Sequence, residues 1–250
     1  VRKSALALVA LLIVIGLWIA GGILNVRALT NLAIMSAAVA VLVLLYYYLR
    51  FEEKKTDAKQ IAIIGTLAAL SVAGRLLFAA IPNVKPSTFI IIITGYVFGP
   101  LSGFMVGATT ALVSNIFFGQ GPWTIWQMLA WGLAGFAAGL LGPKRLLEGR
   151  WRLAIYCAAW GFLFGWIMNL YFVLGFVHPL NFNAFFATYA ASAWFDALHA
   201  AGNFAFAFLL GPALVAMLRR YQTRFFFKAV PRPGEAGPSA DAGAVTELRV

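Results

Sequence analysis

Between Pro86 and Pro143 the chain carries no charged residue over 58 consecutive positions. A water-facing fold cannot sustain such a run, whereas a hydrocarbon layer about 30 Å thick requires it of every segment that crosses. Gly99-Pro100 and Gly119-Gln120-Gly121-Pro122 divide the run into three pieces, because Gly and Pro end helices and form turns. The first piece, Pro86–Phe98, makes a helix only about 20 Å long, short for an ordinary crossing. Elsewhere the charge-poor segments Ser4–Val26, Ala28–Leu49, Gln60–Ala80, Leu153–Leu174 and Ala190–Leu218 each reach spanning length. Hydrophobic residues make up 62% of the 250 and charged residues 11%, well below the quarter or so usual in soluble domains. The expectation is an all-α integral membrane protein.

Charge placement orients it. Basic clusters at Arg2-Lys3, Arg50–Lys59, Lys144–Arg152 and Arg219–Lys228 separate the apolar runs. Three crossings between Pro86 and Pro143 put 16 of the 19 basic residues inside and leave Arg27, Arg75 and Lys85 toward the outside. Two crossings would export the last two clusters, against the positive-inside rule. Eight spans with both termini inside follow, the short piece being shielded by protein because irregular backbone cannot face lipid. The net charge of +11 therefore reads as topology rather than as a nucleic-acid surface, which needs its charge on one face. The first span follows Arg2-Lys3 as a signal peptide would, but Trp18-Ile19-Ala20 lacks the small −3 residue of a cleavage site, and a retained helix is expected. The organisation expected is a hairpin with its connector (1–57), a six-helix core (58–222) and a Pro- and Gly-rich disordered tail (223–250).

Chemistry is sparse. There is no phosphate loop, HExxH or GxSxG motif, and Cys157, the single cysteine, excludes an internal disulfide or a Cys-cluster metal site. No catalytic residue, metal site or cofactor is expected. Asp196 is the only carboxylate within a span, too few for a proton relay. Asp196, His199 and Asn203 fall at i, i+3 and i+7 on one helix face, and Arg75 lies at similar depth. An Arg75–Asp196 ion pair is expected, since neither charge tolerates apolar surroundings alone; it serves a ligand or merely locks two helices. His199 reads equally as a ligand contact or a helix-packing group. The outer loops 81–87, 119–124 and 178–183 hold Asn83, Lys85, Gln120, Trp123, His178, Asn181 and Asn183, with Asn115, Gln127, Asn169 and Tyr171 beside them. Amides among aromatics suit an organic ligand, although Trp and Tyr also gather at headgroup belts. Gly65, Ala69 and Ala73 recur every four residues, a spacing that admits a close helix neighbour. A non-transport scaffold, an intramembrane enzyme using Asp196 and His199, and a stand-alone carrier are the competing classes.

Residues 58–221 resemble the substrate-binding S component of an energy-coupling factor (ECF) vitamin transporter. The resemblance is carried by Gly74-Arg75-Leu76-Leu77-Phe78, Ile81-Pro82-Asn83-Val84-Lys85-Pro86 and Thr94-Gly95-Tyr96-Val97-Phe98-Gly99-Pro100. It continues through Ser114-Asn115-Ile116-Phe117-Phe118-Gly119-Gln120-Gly121-Pro122-Trp123-Thr124, Trp126–Gly132 and Phe195-Asp196-Ala197-Leu198-His199. It implies a six-helix core in a prokaryotic cytoplasmic membrane that captures a vitamin or precursor on its outer face, with the three polar loops lining the site. It also implies a transmembrane coupling protein and two cytoplasmic ATPases as partners, contacted through an AxxxA motif that maps onto Ala69 and Ala73. The Gly-Gln-Gly-Pro-Trp-Thr loop is similar to the subgroup associated with cobalamin and related corrinoids; a pyrimidine or a modified purine precursor is the alternative. The N-terminal hairpin departs from the six-helix pattern, and would hinder coupling if it covered the Ala69/Ala73 face.

Overall fold

A computed structural model describes residues 2–24, 26, 31–54 and 56–226; the expected tail lies almost wholly outside them, as does Arg27. The described residues form eight helices and no strand: α1 (Lys3–Leu24), α2 (Leu32–Glu53), α3 (Ala58–Leu77), α4 (Ser87–Phe98), α5 (Pro100–Phe118), α6 (Trp123–Leu141), α7 (Arg150–Phe176) and α8 (Phe182–Phe226). Seven are long and apolar enough to cross a membrane, and α4, with 12 residues, is the short one.

The short helix is the centre of the bundle. α3, α5, α6, α7 and α8 all pack against α4, and every α4 residue from Ser87 to Val97 is buried. Its four successive isoleucines, Ile90–Ile93, therefore point into protein on all sides, as a helix apolar all round should. At about 18 Å, α4 needs no lipid contact to be stable. Both of its ends meet α8. The Thr88 hydroxyl lies 2.8 Å from His199 Nε2, and Gln222 Nε2 donates to the Val97 carbonyl at 2.9 Å. The two helices thus run in the same sense, which agrees with three passes between Pro86 and Pro143. Gly99, at φ 91°, closes α4 and opens α5; that left-handed backbone suits a residue without a Cβ and lets one helix follow the other directly.

Close approach of α4, α5 and α6 depends on three glycines. A Cβ on Gly95 would overlap the Gly135 carbonyl, and one on Gly103 or Gly135 would overlap the other's backbone. Small residues at such crossings gain dispersion contacts where lipid offers no hydrophobic drive. Across α3 and α4, Ser71 and Ser87 exchange hydrogen bonds, each hydroxyl donating to the other's carbonyl at 3.5 and 3.0 Å.

The hairpin stands to one side. α1 packs on α2, and its basic end is clipped by Glu53, whose carboxylate accepts from Ser4 N at 2.8 Å and from Ser4 Oγ at 2.5 Å, as an anion at a helix N-terminus should. α2 packs along α5, α6 and α7, with Tyr47 stacked on Phe104 at 4.1 Å and edge-on to Phe136. α3 packs along α4 and α5 instead, so Ala69 and Ala73 remain exposed on its outer face. The hairpin does not cover them. The last helix is longer than the expected Ala190–Leu218. The Asn181 side chain accepts from Ala184 N at 2.8 Å, capping a helix start inside the polar segment that reads as a loop, and the helix passes through Pro212 and the Arg219–Arg220 pair to Phe226.

The glycine contact makes a signed prediction. Gly135→Ala should lower the unfolding midpoint in detergent, at a cost of about 1–3 kcal/mol from overpacking. Gly65→Ala, where a Cβ meets open space, should be neutral or stabilise by up to about 1 kcal/mol from helix propensity.

Candidate functional site

A cavity of about 360 Å³ opens at the end of the bundle opposite the basic clusters, lined by α3, α4, α5, α6, α7, α8 and the loop before α4; Arg75, Lys85, Gln127, Trp131 and His199 are among its walls. Arg75 is its fixed point. Sited in the last turn of α3 and buried, it directs Nη1 to the Ser114 hydroxyl and to Asn115 Oδ1, the latter at 2.7 Å. Its guanidinium lies 4.7 Å from the centre of the Phe118 ring and 4.9 Å from that of Trp131. Burying such a charge costs several kcal/mol. Two charge-assisted hydrogen bonds at about 1.5–3 kcal/mol each, with cation–π contacts at about 0.5–2 kcal/mol each, offset much of that cost.

Asn115 passes the constraint onward. Its Nδ2 donates to Thr124 Oγ1 at 2.9 Å and to Gln127 Oε1 at 2.8 Å. The Thr124 hydroxyl donates to Gln120 Oε1 at 2.9 Å, and Gln120 Nε2 donates to the Leu112 carbonyl at 2.7 Å. The loop between α5 and α6 is thereby tied to Arg75 through an unbroken chain of hydrogen bonds.

On the facing wall, Trp131 Nε1 donates to Thr88 Oγ1 at 2.9 Å, and that hydroxyl lies 2.8 Å from His199 Nε2. The Thr88 hydrogen has no other acceptor among the described residues, so it points to Nε2, and neutral His199 then carries its proton on Nδ1. That Nδ1 is buried without a partner, as are both amide atoms of Asn203 one turn further along α8. Phe164 stacks on Trp131 at 4.8 Å and meets His199 edge-on at 5.1 Å. Lys85, in the loop between α3 and α4, has one weak contact, from Nζ to the Ile81 carbonyl at 3.3 Å; burial, and then the neighbouring charge of Arg75, pull its pKa below the usual lysine value.

The structure brings together Asn83, Lys85, Gln127 and His199 around this cavity, with Asn115 immediately behind. Asn83, at φ 54°, donates from Nδ2 to the Phe195 carbonyl at 2.6 Å and so fastens the α3–α4 loop to α8. The other expected residues lie apart. Gln120 serves the loop, and Trp123 folds its ring over Gly121. Asn169 donates to Ser192 Oγ at 2.6 Å, joining α7 to α8. Tyr171 packs on Trp126 and Phe176. His178, Asn181 and Asn183 are exposed, and none of residues 177–183 lines the cavity.

The expected ion pair is corrected. Asp196 accepts from Ser192 Oγ at 3.0 Å and fits against Gly165 of α7, where a Cβ would overlap its carboxylate. No ion pair joins it to Arg75 among the described residues. Glycines on α7 leave room for Asp196 and for Ala200 one turn later, which turns this carboxylate away from the cavity. Nor is Asp196 hydrogen-bonded to His199, whose Nε2 is taken up by Thr88, so the acid–base pairing of an intramembrane enzyme is not formed. Thr88 and Phe164 were not singled out by sequence reasoning, and Ser114 and Trp131 entered only within the segments that carry the resemblance. Thr88 had a signal, being a hydroxyl at the head of an otherwise apolar short helix.

The family model "ECF transporter, substrate-specific component" matches residues 59–218, which run from the start of α3 into α8 and leave out the hairpin. A UPF0397 protein of Vibrio atlanticus is 33% identical over 101 residues, covering 37% of this chain and 55% of the relative. A UPF0397 protein of Aliivibrio salmonicida is 33% identical over 99 residues, covering 37% and 54%. The chain thus spans about half the length of the curated relatives it matches. No solved structure matches it.

The corrected pairing is measurable. Effects of Arg75→Gln and Asp196→Asn on stability should add to within about 0.5 kcal/mol, as for residues sharing no partner. Arg75→Gln and Asn115→Ala should instead couple by about 0.5–3 kcal/mol, read from unfolding of the single and double variants in detergent.

Proposed function

Because the chain belongs to the ECF transporter substrate-specific component family, we propose that it captures a vitamin or vitamin precursor in the Arg75–His199 cavity and delivers it inward with a coupling protein and two ATPases. It is a multi-pass protein of the prokaryotic cytoplasmic membrane, and its family supplies transporter binding components rather than enzymes. The observation that carries the reading is the cavity itself. It is aromatic-walled, lies at the end away from the basic clusters, and presents Arg75 and Lys85 donors that no acceptor among the described residues takes up; buried polar groups are ordinarily paired, and a ligand would complete them.

Residues 58–222 are then the binding core, 1–57 an accessory hairpin and 223–250 a cytoplasmic tail. Ala69 and Ala73 are the coupling surface, and their exposure on α3, clear of the hairpin, supports this. The relation to cobalamin suggested by Gly119–Thr124 is less favoured. At about 360 Å³ the cavity lies near the lower end of the 300–1,000 Å³ or so typical of ligand sites, which suits a single- or fused-ring compound better than a whole corrin. Hydroxocobalamin incubated with the purified chain should leave no stoichiometric visible band once free ligand is removed; a retained band restores the corrinoid.

Ala69→Trp and Ala73→Trp test the partnership. Each should reduce co-isolation of the coupling protein and ATPases from host membranes at least about tenfold, a loss of some 1.4 kcal/mol, with the chain's own unfolding midpoint unchanged. Undiminished co-isolation with both variants would refute the interface, and uptake into vesicles lacking ATPases would favour a stand-alone carrier.

A further inference from the structure

The cavity is unusual in its balance of charge and of hydrogen-bonding groups. Arg75 comes to it from α3 and Lys85 from the following loop, and His199 is the only other titratable group on its walls; Ser87, Thr88, Gln127 and the aromatic rings from the remaining elements carry no charge. No carboxylate lines it. Of the five acidic residues within the described segments, Glu52, Glu53, Asp57 and Glu148 sit at the basic end of the bundle, and Asp196 is turned to α7. Two like charges therefore share one low-dielectric space without a counter-ion, an arrangement that stabilises only when something negative enters.

The groups left free are donors. Arg75 commits Nη1 to Ser114 and Asn115, while Nη2 and Nε have no acceptor among the described residues. The side edge of a guanidinium is the edge that receives a carboxylate with two parallel hydrogen bonds. Lys85 has donors to spare beyond the 3.3 Å contact to Ile81. Gln127 spends its carbonyl on Asn115, which leaves its amide N–H₂ for the cavity. His199 Nδ1 also lacks a partner, but it is buried away from the cavity's free space. Beside them, Phe118, Trp131, Phe164 and Phe195 supply ring faces.

Resting on the reading of this cavity as the binding site, we infer that its ligand is a flat unsaturated ring bearing a carboxylate, whose oxygens lie against Arg75 and Lys85 while a ring acceptor takes the Gln127 amide N–H. The Ser114–Asn115 clamp presents Arg75 in one orientation, so the carboxylate is read by geometry as well as by charge. Lys85, on the loop that Asn83 fastens to α8, closes the same anion from the outer side.

The test compares acids with their uncharged counterparts on the full chain in detergent: nicotinate with nicotinamide, orotate with uracil, and pterin-6-carboxylate with pterin. At equal concentration, at least one acid should raise the unfolding midpoint with an apparent affinity tenfold or more above its counterpart, since a ligand stabilises in proportion to ln(1 + [L]/Kd). Lys85→Glu should abolish that advantage. Arg75→Lys should weaken it, but the clamp makes that variant prone to misfolding, so Lys85→Glu is the deciding one. Equal shifts by acid and counterpart, no shift by any acid, or an advantage that survives Lys85→Glu would each overturn the inference. The binding-component reading is judged separately, by the Ala69→Trp and Ala73→Trp co-isolation, which needs no ligand, so either idea can fail alone.

Discussion

A buried guanidinium held by neutral partners organises this molecule. Arg75 sits near the outer end of a membrane-embedded helix with no carboxylate beside it, and its position is secured by Ser114, Asn115 and two aromatic faces. Each partner comes from α5 or α6, so the charge pulls α3 against the α5–α6 pair at the end where the cavity opens. The hydrogen-bond chain from Asn115 through Thr124 to Gln120 extends this order to the α5–α6 loop. A neutral clamp leaves the charge uncancelled. A salt bridge to Asp196 would have locked the helices equally well and left Lys85 as the one uncancelled charge on the cavity wall.

The second constraint is the length of α4. Twelve residues do not reach across a bilayer, and the bundle solves this by surrounding the helix completely, with glycine contacts at Gly95, Gly103 and Gly135 drawing α5 and α6 in. That places Thr88, at the head of α4, deep enough to join Trp131 to His199. Packing and site are thus one arrangement. The same crowding directs the remaining contacts outward, leaving α3 with an exposed Ala69/Ala73 face while the hairpin finds its place on α5, α6 and α7. The segment that the family model matches and the N-terminal hairpin can therefore coexist without competing for one surface.

Much of the fold was legible because lipid penalises charge so heavily that charge-free runs mark helices almost unaided. The three passes of Pro86–Pro143 followed from where the lysines and arginines had to lie. Depth was legible too: Arg75, Asn115, Gln127 and His199 all fall in the outer half of the bundle. Direction was not. Asp196 and His199 are three residues apart on one helix, yet α7's glycines admit the first and α4's threonine engages the second, and spacing alone does not tell which neighbour offers a gap. The last helix began early because Asn181 caps it, a polar residue that reads equally as loop. The exposed His178, Asn181 and Asn183 looked like ligand contacts for the same reason: polarity near an outer helix end signals water as readily as a site.

Native mass spectrometry of the full chain, released from detergent after incubation with a vitamin-replete cell extract, tests most directly whether the Arg75–His199 cavity is a ligand site. The account requires a single small organic molecule bound one to one, and its loss when His199→Leu and Gln127→Leu are combined without a fall in the helical signal. A bare wild-type chain, or an adduct that persists unchanged in the double variant, would contradict it.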